Sequence, residues 1–286
     1  MYKLAVFSLF LGACACAAAQ NESKGGDTAP EAYPLWDSSV PAPSANAAPF
    51  PHMITHVTVH RAQKGGYTFL HGPAIYAFHG EFFSSWANSL VDENSESETC
   101  QGRRSMDGGM TWGPVEVIAP GFPGEERHSH GAFFVWQDAL YAPVCRFGLG
   151  EPIEGGFVGL SSELFVWRPE TKDWASKGKW IDDFWPLETP KRMANGKWVQ
   201  GGVDDHSQPV VAISQTENPT AAWDAVKLPV QPPLKVLYAE STVLVNGNDL
   251  VAIIRPPTPE VALVSVSHDM GATWTPVGPS NLPMAP

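Results

Sequence analysis

Cationic residues are scarce in this chain: 18 Lys and Arg stand against 30 Asp and Glu, a formal charge of −12, and only 17% of the 286 residues are charged. Nucleic-acid binding needs a basic footprint, so that class of partner is excluded. An anionic substrate would have to be held by local arginines, against the field of the whole protein. Long apolar runs are missing too, and residues 4–12 form a stretch too short to cross a bilayer. Cysteine is sparse. Two of the four, Cys14 and Cys16, lie at the amino terminus, which leaves Cys100 and Cys145 in the body. Such a pair can be one disulfide, two buried thiols or metal ligands. Around Asp204-Asp205-His206 no spacing of a familiar zinc type is present, so neither a metal nor another cofactor is expected.

What is abundant points to β structure. Hydrophobic residues make up 43% and aromatics 11%, enough to core one large domain or two smaller ones. Eleven Trp, 26 Gly and 27 Pro suit short strands and tight turns better than helices. Residues 1–19 read as a targeting segment, with Lys3 as a positive start before the apolar stretch. Ala17-Ala18-Ala19 suits ordinary signal peptidase, and Leu11-Gly12-Ala13-Cys14 resembles a lipobox that would anchor a lipidated Cys14 in a membrane. Both readings export the protein to the periplasm, the cell surface or the medium. Residues 20–50, rich in Pro, Ala, Ser and Asn without apolar periodicity, read as a linker that cannot fold alone.

Residues 51–286 hold a repeat. Four segments share one plan, an apolar strand, a two-residue turn and a second apolar strand, with turns at His79-Gly80, Gln137-Asp138, Asn195-Gly196 and Asn246-Gly247. Each hairpin leads through a further strand to a tryptophan, in turn Trp112, Trp174, Trp223 and Trp274. Units of roughly 50 to 60 residues with three or four strands and a recurring aromatic predict propeller blades rather than a sandwich. The expected fold is all-β, a β-propeller of four-stranded blades.

Two octets, Ser105-Met106-Asp107-Gly108-Gly109-Met110-Thr111-Trp112 and Ser267-His268-Asp269-Met270-Gly271-Ala272-Thr273-Trp274, share the pattern S-x-D-x-G-x-T-W. An Asp carboxylate can collect N–H bonds across such a turn, Gly can take a conformation closed to other residues, and Trp can pack between strands. The octets resemble the Asp boxes of sialidases and other carbohydrate-active propellers, where they are structural. Family wheels have six or seven blades; about four to five are visible here, so the wheel is expected to be truncated at its carboxyl end. An unclosed wheel would expose edge strands.

Propellers bind ligands over the central channel, so polar residues at matching distances from the turns are candidates. Six to eight residues before the turns stand His71, His130, Glu188 and Glu240; eight residues after them stand Asn88, Arg146, Asp204 and Arg255. Arg146 and Arg255 could hold a carboxylate, and the histidines titrate near neutrality. Tyr238, two residues before Glu240, should share its face of the strand, where the carboxylate can activate the hydroxyl. The expected catalytic set is His71, His130, Tyr238, Glu240 and Arg255, with Asn88, Arg146, Glu188 and Asp204 binding substrate. Asp92-Glu93-Asn94 reads as a solvated loop.

The stretch from Tyr238-Ala239-Glu240 to Arg255 looks like the sialidase Glu-to-Arg strand pair, but Phe69-Leu70-His71-Gly72-Pro73 has histidine where sialidases carry the first arginine of their triad. Ulvan lyases and related α-L-rhamnosidases are more similar, in His71-Gly72-Pro73, in Phe82 to Asn88 and in Arg127-His128-Ser129-His130-Gly131. That resemblance implies His130 and Tyr238 as proton carriers, Arg255 on a uronate carboxylate, and a dominant role for His71 in a rhamnosidase. The leading expectation is an exported lyase or hydrolase acting on a uronate-containing glycan. The alternatives are an exo-sialidase and a non-catalytic glycan-binding propeller. Oligomeric state is left open.

Overall fold

A computed structural model describes residues 32–41, 54–122, 124–148, 156–258 and 260–284. The chain divides into Met1–Glu31, which lies outside the described residues together with Cys14 and the targeting segment, and a single unit, Ala32–Pro286.

That unit is built from four antiparallel sheets that follow one another along the chain. Blade one is β1 (Phe69–Phe78), β2 (Glu81–Ser89), β3 (Thr99–Ser105) and β4 (Glu116–Ala119). Blade two has a broken inner edge, β5 (Glu126–Gly131) and β6 (Phe134–Trp136), then β7 (Ala139–Gly148), β8 (Ser161–Arg168) and β9 (Asp173–Asp182). Blade three repeats that break with β10 (Trp185–Pro186) and β11 (Lys191–Arg192), followed by β12 (Trp198–Val203), β13 (Pro209–Ser214) and β14 (Trp223–Lys227). Blade four is β15 (Ser241–Asn246), β16 (Asp249–Ile254), β17 (Glu260–Ser267) and β18 (Gly278–Met284). This is the propeller that the repeat predicts.

The turns are met in two ways. His79-Gly80 and Gln137-Asp138 both hold positive φ at each position, the geometry that matches the twist of a two-residue hairpin. In blade four the strand runs through Asn246, which pairs with Asp249, so the turn falls one residue later than the Asn-Gly signal, at Gly247-Asn248. The two octets form superimposable turns. Thr111 N and Thr111 Oγ1 donate to the Asp107 carboxylate at 2.8 and 2.6 Å. Thr273 does the same to Asp269 at 2.9 and 2.6 Å. In both, the serine hydroxyl donates to the aspartate and accepts the N–H of the glycine at the fifth position, Gly109 or Gly271. The Trp Nε1–H closes on that glycine's carbonyl.

Burial explains the stacking. Strands in the middle blades are apolar on both faces, as in the buried run of β7, because each face meets another blade. Phe83 and Ile118 of blade one pack with Phe133, Leu140 and Trp167 of blade two. Phe134 and Trp180 then meet Phe184, Val210 and Trp223, and Val199 and Val211 meet Val243, Leu250 and Ile254. Among the described residues no such cluster joins blade four to blade one. Part of the segment read as linker is ordered against the fold: Tyr33 bridges Ser280 of β18, and the Asn281 side chain accepts from Trp36 N at 2.8 Å and donates to Trp36 O at 2.7 Å. Cys100 and Cys145 are free, buried thiols, so the disulfide alternative does not hold.

Candidate active site

The four blades meet at a hub cavity of about 420 Å³ lined by His71, His130, Tyr238, Glu240 and Arg255. It continues into a second cavity of about 660 Å³ that shares four of these five and adds Gly72, Thr242 and Ile253. The whole expected catalytic set therefore shares one cleft.

Local structure explains why these side chains reach it. His71 sits where the β1–β2 register slips between His71 and Ala74, and His130 sits where β5–β7 slips between His128 and Gly131. Each slip is a bulge that re-aims a side chain at the rim of its blade. The two rings then pack edge to face, 4.9 Å between centroids at 89°. Tyr238 and Glu240 precede β15 instead of alternating along it. Tyr238 holds φ at +53°, Ala239 N donates to Ser207 O at 3.1 Å, and Glu240 N donates to Tyr238 O at 2.7 Å. Arg255 follows β16; its N–H donates to Glu240 O at 2.8 Å, and its Nη1 lies 3.2 Å from Glu240 Oε2. Asn94, Ser207 and Tyr238, all lining the hub cavity, are non-glycine residues at positive φ. Strained backbone of this kind collects at functional sites.

The electrostatics separate the two histidines. Burial, helped by the neighbouring His71, pushes His130 down to about 3, so this ring is neutral at ordinary pH. Its other neighbour is Trp185, 5.1 Å between centroids. His71 is more open, with Nε2 3.5 Å from the Glu93 carboxylate, while its Nδ1 is buried without a partner.

Four expected substrate-binding residues lie outside the cleft. Asn88 is fully buried and accepts from Trp86 Nε1 at 3.3 Å. Arg146 is paired with Glu126 and stands 4.0 Å from Glu163, beside His128. Glu188 is occupied by Gly201 N at 2.8 Å, Val243 N at 2.9 Å, Lys191 and the Thr242 hydroxyl, a clamp between blades three and four. Asp204 accepts from the backbone of His206 and Gln208 and from Lys227 Nζ. The reason is the two-residue period of extended chain: Leu187 and Val203, one position away, face the cleft, so Glu188 and Asp204 face elsewhere. The bulges in blades one and two break the matched spacing for Asn88 and Arg146.

Blade three thus offers an apolar wall, Trp185, Leu187 and Val203, which Phe157 from the β7–β8 loop of blade two extends, where charge was expected. Sequence reasoning also missed Glu93 and Asn94, which the β2–β3 loop brings to the cleft. Asp92 in the same loop is exposed and accepts from Glu93 N. Asp183, Asp204 and Asp205 place carboxylate oxygens within 4.8 Å of one another, but Lys227 Nζ already bridges Asp204 and Asp183 at 2.7 and 3.2 Å.

No protein-family profile and no curated protein matches the sequence. Solved structures do. The Hadza microbial sialidase Hz136 superposes with a TM-score of 0.56 at 16% identity, over 77% of this chain and 48% of that one. The fold is that of a sialidase-like β-propeller. The sialidase of Trypanosoma rangeli gives 0.54 at 16% identity, over 72% of this chain and 37% of its own. The intramolecular trans-sialidase of Ruminococcus gnavus gives 0.56 at 10% identity, over 75% and 71%. The chain thus spans half or less of the first two sialidases. At these identities the likeness to sialidase-like propellers is one of architecture, and the chemistry has to be argued from the cleft.

Proposed function

We propose that the hub cleft is the active site of a carbohydrate-cleaving enzyme acting on a uronate-containing glycan. The observation that carries this reading is the meeting of two histidines, a tyrosine, a glutamate and an arginine from three blades in one cavity, against an apolar wall of Trp185, Leu187 and Val203 from the remaining blade. Arg255 is engaged by Glu240 through one nitrogen, and the rest of its planar fork can take a substrate carboxylate. A sugar ring stacks well on an aromatic such as Trp185.

In a β-elimination, neutralising the carboxylate acidifies the adjacent C–H. A base removes that proton, a carbon–carbon double bond forms as the bond to the leaving oxygen breaks, and an acid protonates that oxygen. His71, backed by Glu93, and Tyr238 are suited to the proton transfers. His130, neutral at working pH, serves as a hydrogen-bonding ring and not as an acid. Hydrolysis would use the same groups on water.

The test is incubation of the full chain with uronate polysaccharides. Unsaturated products absorbing in the ultraviolet identify a lyase, new reducing ends without that absorbance a hydrolase, and no cleavage of any uronate glycan overturns the reading. An exo-sialidase is the second reading, favoured by the superposed sialidases. A fluorogenic sialoside tests it, and the single arginine lining the cleft among the described residues argues against it.

A further inference from the structure

Behind the cleft lies a carboxyl group that the proposed chemistry does not use. Glu98 is fully buried where the β2–β3 loop rejoins the sheet. Its Oε1 accepts from Ser129 Oγ at 2.8 Å, and Oε2 has no partner among the described residues. Arg127 on β5 is the cation whose charge reaches it, and Arg127 Nη1 is committed to Asn94 O at 2.5 Å. The other titratable groups facing it are Glu93 on the same loop and the buried thiols Cys100 on β3 and Cys145 on β7. Burial outweighs the Ser129 hydroxyl, the Asn94 backbone and the charge of Arg127, so an ionised carboxylate is costly here and the neutral acid suits the site.

The position gives this acid leverage. Residues 90–97 carry Glu93 and Asn94 to the cleft and are braced internally: Leu90 N donates to Ser97 Oγ at 2.9 Å, and Glu98 N donates to Ser95 O at 3.1 Å. Outward, the loop is fastened to β5 through Arg127 and through Ser129, the residue before His130. We propose that Glu98 is a positioning residue whose neutral carboxyl pins the Glu93–Asn94 loop to the strand bearing His130, and whose ionisation frees the loop. The consequence for catalysis rests on the cleft being an active site; the pinning does not.

Hydrogen exchange at amides 90–97, corrected for the intrinsic effect of pH, tests it in the full chain. Burial, the largest influence, sets Glu98 at about 7 against an ordinary value of 4.5. Loop opening should then rise roughly tenfold between about pH 6 and pH 8, because the opened state releases the proton more readily. Glu98→Gln should show no such rise, and Glu98→Ala should exchange fast at both pH values. An equal rise in wild type and Glu98→Gln, or none in wild type, overturns the proposal. Where glycan cleavage is found, Glu98→Gln should move the alkaline limb of kcat/KM to higher pH; an unmoved limb overturns the catalytic consequence. Without cleavage the exchange result still decides the pinning, so the two ideas fail separately.

Discussion

Gly72 lies against the ring of His130, so close that a β-carbon on residue 72 would fall 2.0 Å from the imidazole Cγ. It also holds φ at +56°, a conformation costly for other residues. Gly72→Ala should therefore displace His130 and cut cleavage or glycan binding more than tenfold. Gly80→Ala is the control: it stands at φ +80° with nothing within 4 Å of the added carbon. It should cost about 1 kcal/mol of stability and leave the cleft unchanged. Thermal melts and turnover of both variants check the pair. Equal activity in the two would remove the contact as a constraint on the site.

Arg255 and Glu240 are half-exposed, so their mutual attraction adds little stability. Arg255→Ala should leave the melting temperature almost unchanged. It should lower kcat/KM on a uronate glycan by roughly 10- to 100-fold, the worth of a charge-assisted hydrogen bond. Arg255→Lys should recover only part, since a point charge cannot reproduce the fork. A loss confined to stability would move Arg255 out of the substrate's reach.

His128 is a structural pin. It is 1% exposed, Nδ1 faces Pro120 O at 2.5 Å, and Nε2 faces Glu163 Oε2 at 3.1 Å. Burial pushes Glu163 up, but hydrogen bonds from His128 and Ser176 and the charges of His128 and Arg146 outweigh it, leaving Glu163 below the ordinary carboxylate range. A lowered acid stabilises the fold above its unfolded value, and that contribution is lost as pH falls. Glu163→Gln should cost about 3 kcal/mol at neutral pH and flatten the acid side of the stability profile. Denaturant titrations at several pH values measure both.

The Asp-box carboxylates behave alike on the surface. Hydrogen bonds from the Thr side chain and backbone hold Asp107 and Asp269 down to about 2. Their contribution should be complete above the ordinary carboxylate range and fade as pH falls toward 2. Asp107→Asn and Asp269→Asn should each lower the melting temperature at neutral pH, and less so near pH 2. An undiminished difference there would show that the hydrogen bonds do not depend on the charge.

Some of the cleft was legible because its residues keep a simple distance from a turn. Glu240 and Arg255 flank one hairpin and are brought together by the pairing that the hairpin starts. His71 and His130 were reached by the same count, although bulges, which leave no mark in a single sequence, are what turn them inward. Glu93 and Asn94 carried no signal, because acidic loop residues look alike whether they face solvent or a cleft. Trp185 was hidden for a different reason: a buried aromatic of blade three is indistinguishable from core until the neighbouring blades are placed.

By itself the sequence determined the hairpin repeat, the two Asp-box turns and hence the stack of blades, since each depends on contacts between residues close along the chain. Only the tertiary structure decided which side of each inner strand faces the hub. A slip of one residue reverses a strand's faces, and that slip is set by bulges and by packing between blades far apart in sequence. The same physics put Glu188 and Asp204 into structural hydrogen bonds and gave the hub its apolar wall.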